Sequence, residues 1–517
     1  MNTNLKIAHG VAAALALAAV SAPAAAAYVE PYDLTGSEPY TVFLSGATAQ
    51  DKGMILLMRR LCSAGTMTRV QAKIGTATHQ SMFCDANGTD TTGITAGTKI
   101  VLHKNGGGSS NGVNSVADSL TVAFLNLSVL NATNITSCTV TTVASTTDFA
   151  DYKNYVCASS LVTASNVIPD AGISDVEPSL LGWTSGVNGA LTVTAGPMLT
   201  FGVPVSKNFR DALQTAQSTK LGAGCVGSDS EACMPNMTKA QIAAILSGAT
   251  AAVNKFADDA GVVMANPAGG GGLGLCRRKS GSGTLAGTVA YFLNEGCVKT
   301  AQAVKTIVSG SDGDTVLAAS TTAAQAVANR VNMYSSTNTV MGCLNANHTA
   351  GKYAIGMASM EFKPGTAYTG VTSPVSEFTA DTANWGWVKV GGYAPTLLNT
   401  AQARYDFAFE LSYQTRAAGL GANKATLFGL VKDTNLSALV LKELNASFAQ
   451  SSGGNLWSTG LLAKPGTPTD PTGGAAGALL ASEVDANPIA EWARSVATGT
   501  PNSCQPATPS RQTGLNF

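Results

Sequence analysis

The sequence predicts an α/β protein, since apolar segments typical of buried strands alternate with segments whose apolar residues recur at helical spacing. Strand-like runs lie at residues 41–44, 99–103 and 353–358. The first two lead into turns rich in Gly, Ser and Thr, and a helical pattern follows each turn. This strand–turn–helix order favours α/β architecture, and we find no internal repeat of fixed period.

The most informative turn has the sequence Arg-Lys-Ser-Gly-Ser-Gly-Thr at residues 278–284, and a helical apolar pattern follows it. Ser or Thr before such a pattern predicts a helix start, where the first N–H groups lack intrahelical partners. These N–H groups, the hydroxyls of Ser282 and Thr284 and the helix dipole form a candidate anion site. Arg278 can add a bidentate guanidinium to the same anion. The motif alone is also that of an ordinary helix N-cap.

Two earlier turns have the same character. Ser-Gly-Ala-Thr at 45–48 follows the strand-like run 41–44, and Gly-Ser-Ser-Asn-Gly-Val at 108–113 follows the run 99–103. Each turn is predicted to offer free N–H groups to an anion. Asp175 lies in a further short turn, where most aspartates are simply turn or cap residues.

The composition limits the possible partners of the chain. Of 517 residues, 45% are apolar and 12% are charged, with 31 basic and 31 acidic residues. A net charge of zero argues against a surface for nucleic acid or anionic membranes, which needs a basic excess. Attraction for an anion must therefore be local.

The first 27 residues are predicted to be a cleaved signal peptide. Lys6 supplies a positive charge, an apolar run covers residues 11–20, and three alanines at 25–27 resemble a cleavage site. The run is too short to span a bilayer, and no cysteine follows the predicted cut as a lipid anchor would need. We expect a periplasmic or secreted protein of two or three domains, with an N-terminal arm at 28–40 and no membrane span in the mature chain.

The ten cysteines predict structural disulfides, because an even number in an exported chain is typical of them. Sequence spacing cannot prove the connectivity. Close spacing favours Cys62–Cys84, Cys138–Cys157, Cys225–Cys233 and Cys276–Cys297, which leaves Cys343 and Cys504 as a long-range pair. We expect no metal site and no cofactor, since the chain has no C-x2-C motif and only four histidines.

Thr, Ser, Asn and Val dominate the segment 119–168, which also carries two cysteines. Its alternating pattern predicts a disulfide-linked β insertion. The run 199–205 resembles a strand and a possible crossing between domains.

Taken together, the turns resemble those of the phosphate-binding proteins of bacterial ABC transporters, which belong to the type II periplasmic binding proteins. The similar segments follow the family order through most of the chain; they are 45–48, 108–113, 172–175, 237–248, 278–284 and 353–356. The resemblance implies two α/β lobes joined by a hinge, with a ligand clamped between them. Lobe I would comprise 41–199, including the β insertion, plus 403–517, and lobe II would comprise 200–402.

The resemblance also implies the ligand-binding residues. Seven residues match ligand-contacting positions: Thr48, Ser109, Asp175, Arg278, Ser282, Gly283 and Thr284. Asp175 would accept a hydrogen bond from a proton on the ligand. Sulfate has no such proton and would face a buried carboxylate, so the resemblance favours phosphate or a related oxyanion, with an ABC permease as a possible partner.

Two other functions remain open. An extracellular structural or adhesive protein could retain the two-lobe fold without a functional anion site; the β insertion, the disulfides and Ala49, where the family usually has an aromatic residue, favour this alternative. A hydrolase is disfavoured, because Gly-Ser-Gly-Thr at 281–284 does not match G-x-S-x-G and no histidine has a recognisable nucleophile partner. We therefore expect no enzymatic activity.

Overall fold

The computed structural model describes residues 27–74, 77–185, 188–253, 256, 264–268, 272–297, 306–313, 330–360, 384–448, 460–463, 484, 488–495 and 499–509. Residues 1–26 of the predicted signal peptide lie outside these ranges. The α-helices are α1 (Asp51–Leu61), α2 (Ser109–Ala117), α3 (Lys207–Ala216), α4 (Ser218–Leu221), α5 (Lys239–Leu246), α6 (Gly283–Leu293), α7 (Thr337–Thr349), α8 (Leu397–Ala401), α9 (Ala422–Val431) and α10 (Thr434–Phe448).

The strands are β1 (Tyr40–Gly46), β2 (Met67–Ile74), β3 (Ala77–Asp85), β4 (Lys99–Lys104), β5 (Val122–Leu125), β6 (Thr139–Val143), β7 (Tyr152–Cys157), β8 (Ala164–Val167), β9 (Ala171–Ser174), β10 (Leu191–Ser206), β11 (Asn236–Met237), β12 (Gly274–Arg278), β13 (Ser311–Asp312), β14 (Val331–Tyr334), β15 (Ala354–Gly356), β16 (Ala358–Ser359), β17 (Trp385–Val390), β18 (Ala408–Arg416), β19 (Leu461–Leu462), β20 (Trp492–Ala493) and β21 (Thr508–Pro509). Helices and strands alternate along much of the chain, which confirms the predicted α/β class.

Most strands belong to one continuous mixed network. Strand β1 lies between β4 and β9 and is parallel to both. The strands β5 to β8 fall in the predicted β insertion; β5 pairs with β8, and β6 pairs with β7, which extends the sheet beside β2. Strand β12 is parallel to both β14 and β15.

The long strand β10 connects two groups of strands. The β1 group contains β4, β1, β9 and β18, and the β12 group contains β12, β14, β15, β16 and β17. Its residues 191–200 pair antiparallel with β18, which in turn pairs with β9. Its residues 201–206 pair with β15, β16 and β17 instead. The change of partners at residues 200–201 lies within the predicted crossing at 199–205. The division into lobes at 199, 200, 402 and 403 stays a prediction.

The main hydrophobic core extends through both groups of strands. It contains Leu44 of β1 and Leu102 of β4, and Leu275 of β12 and Ile355 of β15, all at most 2% exposed. Phe201 of β10 lies between them in the chain and is fully buried in the same cluster. The two groups of strands are therefore held together by continuous apolar packing as well as by β10.

All ten cysteines form disulfides, and three predicted pairs are confirmed: Cys62–Cys84, Cys138–Cys157 and Cys225–Cys233. The pairing predicted for the other four is wrong. Cys276 pairs with Cys343, and Cys297 pairs with Cys504.

The packing of α7 on β12 explains the first corrected pair. Cys276 lies in β12 and is fully buried, and the Nδ2 of Asn347 on α7 lies 3.8 Å from its sulfur. The same Nδ2 lies 3.6 Å from the sulfur of Cys343, one turn earlier on α7. Cys297 follows the far end of α6, where it contacts the C-terminal segment instead. Short sequence spacing could not reveal either contact, because both depend on packing between distant elements.

Replacing Cys276 and Cys343 together by Ser should destabilise the protein more than replacing Cys225 and Cys233. The corrected pair is separated by 67 residues and the control pair by 8. Loop-closure entropy then gives a loss of roughly 4 kcal/mol for the first and roughly 2.5 kcal/mol for the second. Thermal unfolding midpoints of the two double variants measure the difference. Equal midpoints, or the reverse order, would contradict this ranking.

Candidate functional site

The candidate site begins at the carboxyl ends of three neighbouring parallel strands. In the β4–β1–β9 arrangement, Leu44 lies opposite Lys104 and Gly46 lies opposite Ile173. The chain continues from these ends to the 45–48 turn, to α2 and to Asp175. Carboxyl ends of parallel strands at a sheet edge are a common place for ligand sites in α/β proteins.

Glycines allow α2 to begin directly against these strand ends. Gly112 lies in the first turn of α2, and a Cβ on it would lie 2.2 Å from the carbonyl oxygen of Ile173 and 3.0 Å from the Cα of Gly46. Gly46 has a φ of +113°, which side chains rarely adopt. The Nε2 of Gln414 on β18 donates to the carbonyl of Gly112 at 2.8 Å. The backbone at the start of α2 is therefore fixed on the sheet.

Asp175 and Ser109 form the centre of the site. The Oγ of Ser109 donates to Asp175 Oδ2 at 3.1 Å, and the backbone N–H of Asp175 approaches the same hydroxyl at 3.2 Å. Asp175 is 7% exposed, and its Oδ1 is buried without a hydrogen-bond partner among the described residues. A buried carboxylate oxygen without a donor is costly, so this atom needs a partner that the described part of the chain does not supply.

The start of α6 packs against the same carboxylate. Ser282 is the N-cap of α6, and its Oγ accepts from the N–H of Leu285 at 3.4 Å, as the sequence predicts. The N–H of Ser110 donates to the carbonyl of Gly281 at 3.0 Å, which joins the α2 start to the α6 start. A Cβ on Gly283 would lie 2.4 Å from Ser109 Oγ and 2.6 Å from Asp175 Cβ. Two helix starts therefore converge on one buried carboxylate.

Arg278 and Thr284 lie beside this contact. The Nη1 of Arg278 donates to Thr337 Oγ1 at 2.9 Å, and its Nη2 donates to the carbonyl of Ser335 at 2.7 Å. Arg278 and Thr284 line a cavity of about 10 Å³, together with Leu285 and Thr288. That volume is close to the room needed by one water molecule. The guanidinium is thus held near the α6 start by Ser335 and by Thr337, the first residue of α7.

Thr48 differs from the other predicted site residues. It is exposed and lies three residues before α1, which begins at Asp51 with Gln50 as its N-cap. The side chain of Gln50 makes no capping hydrogen bond. The structure thus brings together Ser109, Asp175, Gly283 and the α6 N-cap Ser282, while the hydroxyl of Thr48 is not at a helix start.

Lys104 was not predicted as a site residue, yet it lies at the same strand ends. Its side chain is fully buried, and its Nζ donates to the carbonyls of Gly46 at 3.0 Å and Asn105 at 2.6 Å. Asp51 at the start of α1 is its ion-pair partner at 3.3 Å. A lysine at the end of an apolar strand, just before a Gly-rich turn, was the available sequence signal.

Burial raises the pKa of the Asp175 carboxyl above its ordinary value. The hydrogen bond from Ser109 and the positive charges of Arg278 and Lys104 act in the opposite direction but do not cancel the effect of burial. An unpaired charge at this position is disfavoured, and a proton shared with a neighbouring group would relieve the cost.

The described residues include no group of three or more His, Cys, Asp or Glu side chains that could hold a metal ion. Among the helices within the described ranges, none has both the length and the apolar composition to cross a bilayer.

Comparison with solved structures finds phosphate-transport proteins among the similar folds. An ABC-type phosphate transport receptor from Vibrio cholerae shares 11% identity, with 78% of this chain and 97% of the receptor covered, at a TM-score of 0.36. PstS from Borrelia burgdorferi also shares 11% identity, with coverage of 78% and 96% and a TM-score of 0.33. No protein-family model and no curated protein sequence matches the chain. Similarity this low says nothing about the ligand.

Gly283→Ala should force the two helix starts apart, because its methyl group would overlap Ser109 Oγ and Asp175 Cβ. We expect a loss of about 1–3 kcal/mol in unfolding free energy from overpacking. The matched control is Gly429→Ala in α9, an exposed helical position with nothing within 4 Å of the added Cβ. There we expect a gain of up to about 1 kcal/mol from helix propensity. Denaturant unfolding measures both; a Gly283→Ala protein as stable as the control variant would disprove the close packing.

Asp175→Asn should change the pH dependence of stability. Because the folded-state pKa of Asp175 is raised, its contribution is most favourable below the unfolded pKa of roughly 3.9 and is lost as pH rises through the folded pKa. The neutral amide avoids this loss, so the variant should unfold at a higher temperature than the wild type at pH 7. The difference should shrink as pH falls through the raised folded pKa and should be smallest below about 4. A pH-independent difference between pH 3 and 8 would show that Asp175 is not the titrating group.

Proposed function

We propose that this protein is an exported solute-binding protein that holds a protonated tetrahedral oxyanion, such as phosphate, between the starts of α2 and α6. The observation that carries the proposal is the convergence of these two helix starts on Asp175, whose buried Oδ1 has no donor among the described residues. Helix N-termini attract anions through free N–H groups and the helix dipole. A protonated ligand oxygen can donate to Asp175, which satisfies the buried carboxylate.

Most of the predicted binding residues have a role in this proposal. Ser109, Ser282, Gly283 and Thr284 offer hydroxyl or backbone N–H donors from the two helix starts. Arg278 contributes positive charge, which a chain with zero net charge must supply locally. Thr48 is exposed in the 45–48 turn and would have to approach the ligand from there. Because Gly283 contacts Ser109 and Asp175 directly, the helix starts must separate to admit an anion.

Asp175 accounts for the proposed selectivity. Monohydrogen or dihydrogen phosphate carries a proton that can be donated to a carboxylate, whereas sulfate at neutral pH carries none. Sulfate would place two unscreened negative groups together in a buried site. A site that must satisfy its own buried polar group discriminates strongly against a ligand that lacks the complementary atom.

Export is supported by the disulfides. Five disulfides in one chain favour an oxidising compartment, such as the periplasm or the extracellular space. Delivery of the ligand to an ABC permease stays a prediction from the sequence resemblance.

A second candidate is a structural or adhesive protein that keeps the fold without an anion site. It is favoured by the close contact of Gly283 with Asp175, which leaves no room between the two in this conformation. Both terminal nitrogens of Arg278 also donate to Thr337 and Ser335.

Isothermal titration of the wild type with phosphate and sulfate separates the two candidates, and Asp175→Asn tests the mechanism. We expect saturable binding of phosphate and at least tenfold weaker binding of sulfate, and we expect the variant to lose this preference. Asp170→Asn is the matched control. Asp170 is as buried as Asp175 but directly precedes β9, whereas Asp175 directly follows that strand. Its selectivity should match the wild type. Absence of saturable phosphate binding at millimolar concentration would favour the structural alternative.

A further inference from the structure

Helix α6 covers Asp175. Along its length it packs on the surface formed by residues 175–176 and 406–409, which we call the Asp175 side. At its start, Gly281 accepts from Ser110 and Gly283 contacts Asp175. In its middle, a Cβ on Gly287 would lie 2.9 Å from the Phe409 ring and 3.4 Å from Val176. Because Gly283 packs against Asp175, an anion that inserts between them requires the start of α6 to withdraw from this surface.

The second half of α6 is fixed to the same side by a polar and aromatic contact. The hydroxyl of Tyr291 donates to Asp406 Oδ1, and its ring stacks on Phe407 with centroids 4.9 Å apart. Arg494 lies 3.7 Å from the carboxylate of Asp406. These contacts are non-covalent and can therefore open and close reversibly.

The disulfide Cys297–Cys504 adds a covalent link at the far end of α6. It joins residues 207 positions apart and connects the end of α6 to the C-terminal segment. That segment is itself held on the Asp175 side: the guanidinium of Arg494 donates to the carbonyl of Gln505. The sulfur of Cys504 lies 3.9 Å from Glu177 Oε1, two residues after Asp175.

We propose that the Cys297–Cys504 disulfide is a redox-sensitive lock that holds α6 over Asp175 and restricts access of anions to this site. The proposal rests on the proposed function for the identity of the ligand, but the restraint on α6 can be tested without any ligand. While the disulfide is intact, the end of α6 cannot move away from the C-terminal segment, so α6 cannot withdraw from this surface as a whole. Cutting it leaves the non-covalent contacts alone to keep the site closed.

The position of the disulfide makes it accessible to a reductant. Cys504 is exposed and Cys297 is half-buried, whereas Cys276 and Cys343 are both fully buried. A dithiol would attack one sulfur and break the S–S bond through a mixed disulfide. The dithiol supplies two electrons and two protons and becomes a disulfide, while Cys297 and Cys504 become thiols. Reduction should therefore reach this pair before the Cys276–Cys343 pair.

Hydrogen exchange measured by mass spectrometry tests the lock on the full chain without ligand. The readout is the peptide that contains Ser110, whose N–H donates to Gly281 across the two helix starts. In the double variant Cys297→Ser/Cys504→Ser, exchange in this peptide should be at least tenfold faster than in the wild type. The control is Cys225→Ser/Cys233→Ser, which removes a disulfide within the segment that connects α4 to β11. The exchange rate of the Ser110 peptide should be unchanged in this control.

Treatment of the wild type with dithiothreitol provides a second route that needs no substitution, with peptide mapping to identify the opened disulfide. Faster exchange that coincides with opening of Cys297–Cys504 supports the lock. Unchanged exchange, or equal acceleration in the control variant, overturns it. If exchange accelerates but the protein binds neither phosphate nor sulfate, the lock stands and the proposed function fails. If phosphate binds and its release rate is the same in the double variant and the wild type, the lock does not control the site.

Discussion

The arrangement of the candidate site depends on one buried carboxylate, Asp175. Its Oδ2 accepts from Ser109 at the α2 start, while Gly283 at the α6 start packs against its Cβ. Burial of a charge without full hydrogen bonding is unfavourable, and the raised pKa of Asp175 expresses this cost. The buried carboxylate therefore lowers the stability of the protein, and such unfavourable groups are typical of binding and catalytic sites.

Close packing around Asp175 keeps the starts of α2 and α6 in place and restricts their conformational freedom. Gly46 and Gly112 let α2 approach the ends of β1 and β9, and Gly283 lets α6 approach α2. The continuous core and strand β10 then connect the β12 group to the strands beside Asp175. Helix α6 connects the packing at its start to the Cys297–Cys504 disulfide after its far end. The Cys297–Cys504 link matters for this reason.

Several features were predictable because they depend on neighbours in sequence. Ser282 is the N-cap of α6, and α2 begins at Ser109, as the Gly/Ser/Thr turns indicate. Close spacing favoured the correct partners for three disulfides, whose cysteines lie 8 to 22 residues apart, but the same rule failed for Cys276 and Cys297. The pairing of Cys276 with Cys343 did not follow, because it requires knowing which face of β12 is covered by α7.

The sequence by itself determined the α/β alternation and the starts of α2 and α6, since backbone capping is decided within a few residues. Only the tertiary structure decided that Ser109, Asp175 and Gly283 meet, and that Lys104 lies buried beside them while Thr48 is exposed. Strand order and helix packing bring these residues together across more than one hundred positions of chain. Such contacts are set by the burial of whole faces, which no local pattern encodes.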